Sequence, residues 1–415
     1  MRICFIADAR SPIARNWVEH FVARGDGVHI ISSYLCDGDS IPGAAIHHAP
    51  VALAGFSGAG EGKTSVAQPS RQSALAAVKR RALAISSTVA QHTVLPLDVR
   101  RQTEQVRRLI GRIEPDIVHA MRIPFEGIVA AKATPPDVPL MISVWGNDFT
   151  LWAAHNPLIA RQTRQALKRA DALHTDCRRD LRMAVGTWGF DAQKSAVVLP
   201  GAGGIQPARF YKGPADAALR RRLAIKEGVP VLINPRGFRG YVRNDVFFAA
   251  IPVVLKKHPD ALFVCVGMQG HAMAERWIER FDIAANVRLL PPVARDEMAD
   301  LFRLADVAVS PSLHDGTPNT LLEAMACGCL PVAGDIESVR EWIDDGTNGL
   351  LCDATNVESL AGAMTSALDD VTLQQAARHY NEQLIAERAE YRSVMRRAES
   401  FYQQVIESKR QVARV

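Results

Sequence analysis

The chain reads as two Rossmann-like, doubly wound α/β domains in series, with a cleft between them and a C-terminal helical tail. Three observations predict this. Short apolar, β-branched runs alternate with helix-like segments, the pattern of parallel strands joined by crossover helices. At 415 residues the chain is too long for one ordinary core. From Val357 to Lys409 no strand-like run occurs, and apolar residues recur at helical spacing at Leu360, Met364 and Leu368, then at Ile385, Met395 and Tyr402. The expected division is 1–215, 216–385 and a helix over 386–415 that crosses back to the first domain.

The N-terminus, MRICFIADARSP, reads as a first buried strand rather than a secretory leader. Its apolar run is short, contains Asp8 and is followed by charge. A helix is expected from Asn16 to Arg24, stopped by Gly25. ICFIADA, VHIISSY, IVHAM and PLMISVW are the clearest strands of the first domain. Residues 55–73 are rich in Gly and Ser and read as a long loop. The GKT at Gly62 to Thr64 misses the phosphate-loop pattern, because Ser57 stands where its first glycine belongs. The second domain opens at VPVLINP (Val229 to Pro235), and its strands continue as ALFVCVG, VRLLPP, VAVSPS and LPVAG.

Composition narrows the function classes. The net charge of +5 is too small to imply nucleic acid, and no window is apolar enough for a membrane span. Seven cysteines are scattered with no CxxC pair, which favours a reducing cytoplasm and no structural zinc. Asp37-Gly38-Asp39 reads as a turn rather than a metal site, and no metal is expected. Between Lys79 and Arg112 eight basic residues face only Asp98 and Glu104. That stretch is either a solvated face or a surface for anionic lipid or a phosphorylated acceptor, which would place the protein at the inner face of the membrane. A dinucleotide-dependent dehydrogenase is excluded, since no G-x-G-x-x-G follows the first strand.

The most informative segment is VSPSLHDGTPNTLLEAMACGCLPVAG, residues 309–334. A strand ends in a polar loop, Thr317 is a suitable N-cap, and Pro318 suits the first helical position. The free amides of Asn319 and Thr320 would sit at the positive end of that helix and suit a diphosphate. Glu323 shares their helix face and can accept hydrogen bonds from ribose hydroxyls. Asp315, just before the helix, can do the same for the sugar being transferred. The order sugar, phosphate, ribose matches a nucleotide-sugar.

Here the chain resembles glycosyltransferase family 4, the retaining group 1 enzymes of GT-B architecture. Their E-x7-E followed by A-M-A-x-G-x-P-V is met by Asp315, Glu323 and the run from Ala324 to Val332, with one extra residue before Pro331. Ala305 to Ser312 and Glu341 to Leu351 match further motifs of that family. Pro115 to Ala120 and Trp145-Gly146-Asn147-Asp148 resemble its P-D-V-V-H-A and H-G-x-D segments, with Trp145 in place of the histidine. The resemblance implies a nucleotide-sugar donor, no cofactor and an acceptor that is often lipid-linked. It implies that Arg236, with Arg239 or Arg243, neutralises the diphosphate. Gly316, Thr317, Leu321 and Pro292 would complete the donor surface. His119 would stand near the sugar, and Arg10, Arg122, Trp145, Asn147 and Asp148 on the acceptor side. Departure of the diphosphate, helped by the helix end and Arg236, would precede attack by the acceptor from the same face. A sugar-nucleotide epimerase or hydrolase of the same fold, and a non-catalytic sugar-nucleotide binder, are the competing readings.

Overall fold

The computed structural model describes residues 1–38, 40–50 and 100–412. The loop at 55–73, the bases Lys79 to Arg81 and Asp39 therefore lie outside the described residues. β1 (Arg2–Ala7), β2 (Gly27–Ser32), β3 (Ala45–His48), β4 (Ile117–Ala120), β5 (Leu140–Val144), β6 (Ala172–Thr175) and β7 (Ser195–Val198) form one parallel sheet, ordered β3-β2-β1-β4-β5-β6-β7. β4, β5 and β6 are buried at every position, which is why they read as unbroken apolar runs. The second sheet, also parallel, comprises β8 (Val231–Asn234), β9 (Leu262–Cys265), β10 (Val287–Leu289), β11 (Val307–Ser310), β12 (Leu330–Gly334) and β13 (Leu350–Cys352), ordered β10-β9-β8-β11-β12-β13. Strand order reverses between β1 and β4 and between β8 and β11. Crevices open beyond the carboxyl ends of the strands at such reversals.

Helices cover both faces of each sheet. In the first domain these are α1 (Pro12–Ala23), α2 (100–113), α3 (Ile128–Ala133), α4 (Pro157–Arg169) and α5 (Arg178–Gly186). In the second they are α6 (Ala217–Arg222), α7 (Asn244–Leu255), α8 (Ala272–Phe281), α9 (Arg295–Leu304), α10 (Asn319–Ala326), α11 (Val357–Asp369) and α12 (Val371–Arg388). An irregular turn, non-helical at Pro124 and Phe125, occupies Ile123–Gly127, and a π-helical turn Asp148–Ala153. α1 starts earlier than Asn16 because Pro12 presets a helical φ at its first turn. Gly25, at φ +84°, ends it as expected. The strands β3, β6, β7 and β13 have only three or four residues each, too short for periodicity to show.

The tail is three helices, and only the last returns to the first domain. α12 stays on the second domain, burying Ile385 in its core. α13 (Tyr391–Val412) lays Val394, Met395, Ala398, Phe401, Tyr402, Val405 and Ile406 against Ile3, Phe5, Trp17 and Phe21. The return crossing at Ala389 and Glu390 is tied to the outward one. The Ile205 amide donates to the Ala389 carbonyl at 2.7 Å, and the Tyr391 amide to the Ile205 carbonyl at 2.9 Å. Gly204, at φ +93°, permits this approach, since a Cβ there would collide with the Ala389 carbonyl. Among the described residues no helix is long and apolar enough to cross a membrane.

Candidate active site

β11 lies at the strand-order reversal of the second sheet, so the loop 311–318 and the start of α10 fall at its crevice. Thr317 does not cap α10. Pro318 takes the boundary position and no side chain caps the helix. The Thr317 hydroxyl instead donates to the Asp176 carbonyl of the first domain and accepts from Trp342 Nε1 at 3.1 Å. The uncapped positive end of α10 remains suited to an anion. Arg236, two residues beyond β8, stands beside it. One guanidinium nitrogen lies 2.9 Å from the Asp315 carboxylate and the other 3.4 Å from the Thr320 hydroxyl. The Asp315 contact is an ion pair out of line for a hydrogen bond, so Asp315 Oδ2 keeps no hydrogen-bond donor. Arg239 reaches the Tyr241 hydroxyl at 3.2 Å, next to Arg236. Arg243 is held bidentate by Asp245 at 2.8 and 2.7 Å and does not join them.

Glu323 is nine-tenths buried and paired with Arg295 Nη2 at 2.8 Å, a partner that no local pattern reveals. Burial raises its pKa, and Arg295 opposes the rise. Arg295 also donates to Asn16 Oδ1 of the first domain at 3.2 Å. The Leu321 side chain belongs to the core and its amide is taken by the Pro318 carbonyl, so neither is available to a donor. Pro292 lies in an exposed loop between β10 and α9.

In the first domain Trp145 to Asp148 follow β5. Asp148 is fully buried and accepts from the amides of Trp145 and Ile123, both at 3.2 Å, and from Arg122 at 3.1 Å. It fastens the loops after β4 and β5 together, with Arg122 among its partners. Arg10 is held by Asp8 at 2.9 and 3.0 Å and lies over the Tyr34 ring. His119 corrects the expectation most clearly. It has no exposed surface, and its Nδ1 meets the Tyr402 hydroxyl while Nε2 meets Ser143 Oγ at 2.7 Å. Ser143 continues to His174, and His174 to the Leu199 carbonyl. Burial lowers the pKa of both imidazoles, so these rings are neutral core groups that lock α13 to the sheet.

The two halves meet directly. A Cβ on Gly146 would collide with the Gly316 backbone, and one on Gly316 with the Asp176 carboxylate. Glu341 of the second domain receives the amides of Arg178 and Arg179, the free N-terminus of α5, at 2.9 and 3.0 Å. Arg179 Nη1 donates to Ser338 Oγ at 3.2 Å, and Ser338 to the Asp315 carbonyl at 2.7 Å. Asp176, buried at this seam, has its pKa pushed well up by burial, with Asp180 and Asp315 adding to the rise. Asp176, Cys177 and Asp180 have ligand-like spacing. Asp180, however, is already paired with Arg179, and burial pushes the Cys177 thiol far up, a donor set poorly suited to a cation.

Buried polar atoms without a hydrogen-bond partner gather here: Trp145 Nε1, Asn147 Oδ1, Asp176 Oδ1, Arg236 Nε, Asp315 Oδ2 and Asn319 Oδ1. Each such atom costs about 1–3 kcal/mol unless a ligand or water satisfies it. They come from both domains, so the seam is where a ligand would restore the missing bonds.

A family model described as "Glycosyl transferases group 1" matches residues 216–384, and a "Glycosyl transferase 4-like domain" matches residues 11–201. A D-inositol 3-phosphate glycosyltransferase from Geodermatophilus obscurus is 31% identical over 214 residues, covering 49% of this chain and 47% of that protein. One from Kineococcus radiotolerans is 31% identical over 224 residues, covering 50% of this chain and 51% of that protein. The chain thus spans about half the length of the curated relatives it matches. In fold it is similar to sucrose-phosphate synthase from Thermosynechococcus elongatus, with TM-score 0.74, 12% identity, and 98% and 100% of the two chains covered. It is also similar to Anabaena HepE, solved in complex with UDP, with TM-score 0.70, 15% identity, and 97% and 100% covered.

Proposed function

The chain belongs to the group 1, family 4 glycosyltransferases of GT-B fold, and from that premise we propose that it moves a sugar from a nucleoside-diphosphate sugar to an acceptor hydroxyl with retention of configuration. The observation that carries the proposal is the uncapped N-terminus of α10, with Arg236 beside it and Asp315 and Glu323 flanking it. The α10 amides and Arg236 would take the diphosphate, Glu323 the ribose hydroxyls and Asp315 the sugar hydroxyls. HepE, of the same fold, was solved with UDP, which supports a uridine donor. Charge that develops on the departing diphosphate would meet donors already fixed in place, the arrangement that lowers such barriers most. No metal is needed on this reading, because Arg236 and the helix end supply the positive potential. The acceptor approaches from the first domain.

The test is thermal stabilisation by UDP-, GDP-, ADP- and CMP-sugars, since a ligand that binds only the native state raises the melting temperature. Stabilisation by one family of nucleotides, followed by acceptor-dependent release of the diphosphate, supports transfer. Sugar released equally with and without acceptor would favour a hydrolase, and no stabilisation by any of them would overturn the assignment.

A further inference from the structure

Asn16 stands where both chain crossings and the second domain converge. It lies on α1 and is 3% exposed. Its Nδ2 donates to the Ala202 carbonyl, and its Oδ1 accepts from Gln206 Nε2 at 2.6 Å and from Arg295 Nη1 at 3.2 Å. Its backbone carbonyl accepts from the Tyr391 hydroxyl at 2.6 Å. Ala202 and Gln206 belong to the outward crossing, Tyr391 to the return one and Arg295 to the second domain. A buried asparagine inside a helix is otherwise a poor choice, since an apolar residue would fill the place with no polar atoms to satisfy.

The same Arg295 grips Glu323 through its other terminal nitrogen at 2.8 Å, and its guanidinium lies 5.3 Å from the centre of the Phe210 ring. A planar guanidinium held at both nitrogens and on one face cannot move its two ends independently. Glu323 therefore points where Arg295 holds it, and Arg295 is anchored on Asn16 of the opposite domain. At 3.2 Å that anchor is at the long end for an N–H···O bond, and a drift of about half an ångström between the halves breaks it. The direction of the Glu323 carboxylate thus answers to the angle between the domains.

We propose that Asn16 is a positioning residue for the nucleotide: through Arg295 it makes the hold of Glu323 on the ribose complete only when the two domains are closed. The inference rests on the reading of Glu323 as the acceptor of the ribose hydroxyls. Asn16 itself touches no substrate. The coupling runs both ways, so a ribose seated on Glu323 steadies Arg295 and, through Asn16, both crossings.

The experiment is calorimetric titration of the full chain with UDP and with dideoxy-UDP, whose ribose carries neither hydroxyl. Wild-type protein is expected to prefer UDP. Asn16→Ala should weaken UDP about three- to tenfold and leave dideoxy-UDP within about twofold, so that the preference shrinks. Arg295→Lys keeps a charge beside Glu323 but lacks the planar fork; it should do the same, and stands in if the alanine variant does not fold. A role in stability alone would weaken both nucleotides equally or neither, and either result in a folded variant would overturn the inference. If wild-type protein binds the two nucleotides alike, the ribose assignment of Glu323 fails and the inference with it. If it binds neither, the transferase reading falls first and takes the inference with it.

Discussion

The contact between Glu341 and α5 predicts that one carboxylate contributes a measurable share of what holds the two domains together. Replacing Glu341 by alanine removes two hydrogen bonds from the amides of Arg178 and Arg179 to a charged acceptor. Bonds of this kind contribute about 1.5–3 kcal/mol each when buried. One is exposed and the other half-buried, so the sum is discounted to about 2 kcal/mol. The charge also opposes the positive end of α5, a contribution of a few tenths that survives only at low salt. About 2 kcal/mol shifts the balance between closed and open forms about thirtyfold toward open. Because each domain is held by its own core, both should stay folded. Small-angle scattering should show a larger radius of gyration for Glu341→Ala. A thermal scan should show unchanged unfolding of each domain, and the donor KM should rise. An unchanged radius together with an unchanged KM would refute the reasoning, and so would loss of folded protein.

Glu323→Ala should weaken UDP binding by about 1–3 kcal/mol, because it leaves the ribose hydroxyls without their acceptor, while the loss of Arg295's partner lowers stability with or without UDP; calorimetric titration checks the first. Arg236→Ala should weaken UDP most at low ionic strength, and a loss that ignores salt would show that Arg236 acts through packing alone. Gly316→Ala should abolish turnover while each domain keeps its fold, since the added methyl group meets the Asp176 carboxylate; circular dichroism and a UDP-release assay separate the two. Glu126 ties stability to pH. Its carboxyl titrates at about 7 in the folded chain against an ordinary 4.5, so the penalty is absent below about pH 4.5 and grows as pH rises to 7. Urea denaturation should therefore show Glu126→Gln as stable as wild type near pH 4.5 and more stable at pH 8, by about 2–3 kcal/mol.

The donor half was legible because its chemistry is contiguous. Between Val309 and Gly334 the strand, loop, helix start and both acids follow one another, and spacing on one helix fixes the face that Glu323 shares with Asn319. What stayed hidden depends on residues far apart in sequence. Arg295 pairs with Glu323, Glu341 with α5 and Asp176 with Gly316 only after two sheets have closed on each other. His119 misled because a histidine in an apolar strand has two readings, and burial on both faces of β4 decides for the core. Thr317 misled because a hydroxyl before a helix usually caps it, whereas a stronger claim came from the opposite domain.

The proposed donor site is arranged so that a ligand exchanges partners rather than filling vacant charges. Without ligand, Arg236 lies against Asp315 and Arg295 against Glu323, and each pair offsets the desolvation that burial would otherwise cost. A diphosphate at α10 competes for Arg236 and so releases Asp315, which is then free to accept hydrogen bonds from the sugar. Ribose hydroxyls meet Glu323 while Arg295 can keep its hold, because a carboxylate has room for several donors. The phosphate therefore prepares the sugar contact, whereas a free sugar without its nucleotide must compete with the Arg236 ion pair for the Asp315 carboxylate. On this reading discrimination for the nucleotide-sugar over its parts follows from the ion pairing itself, before any contact with the base.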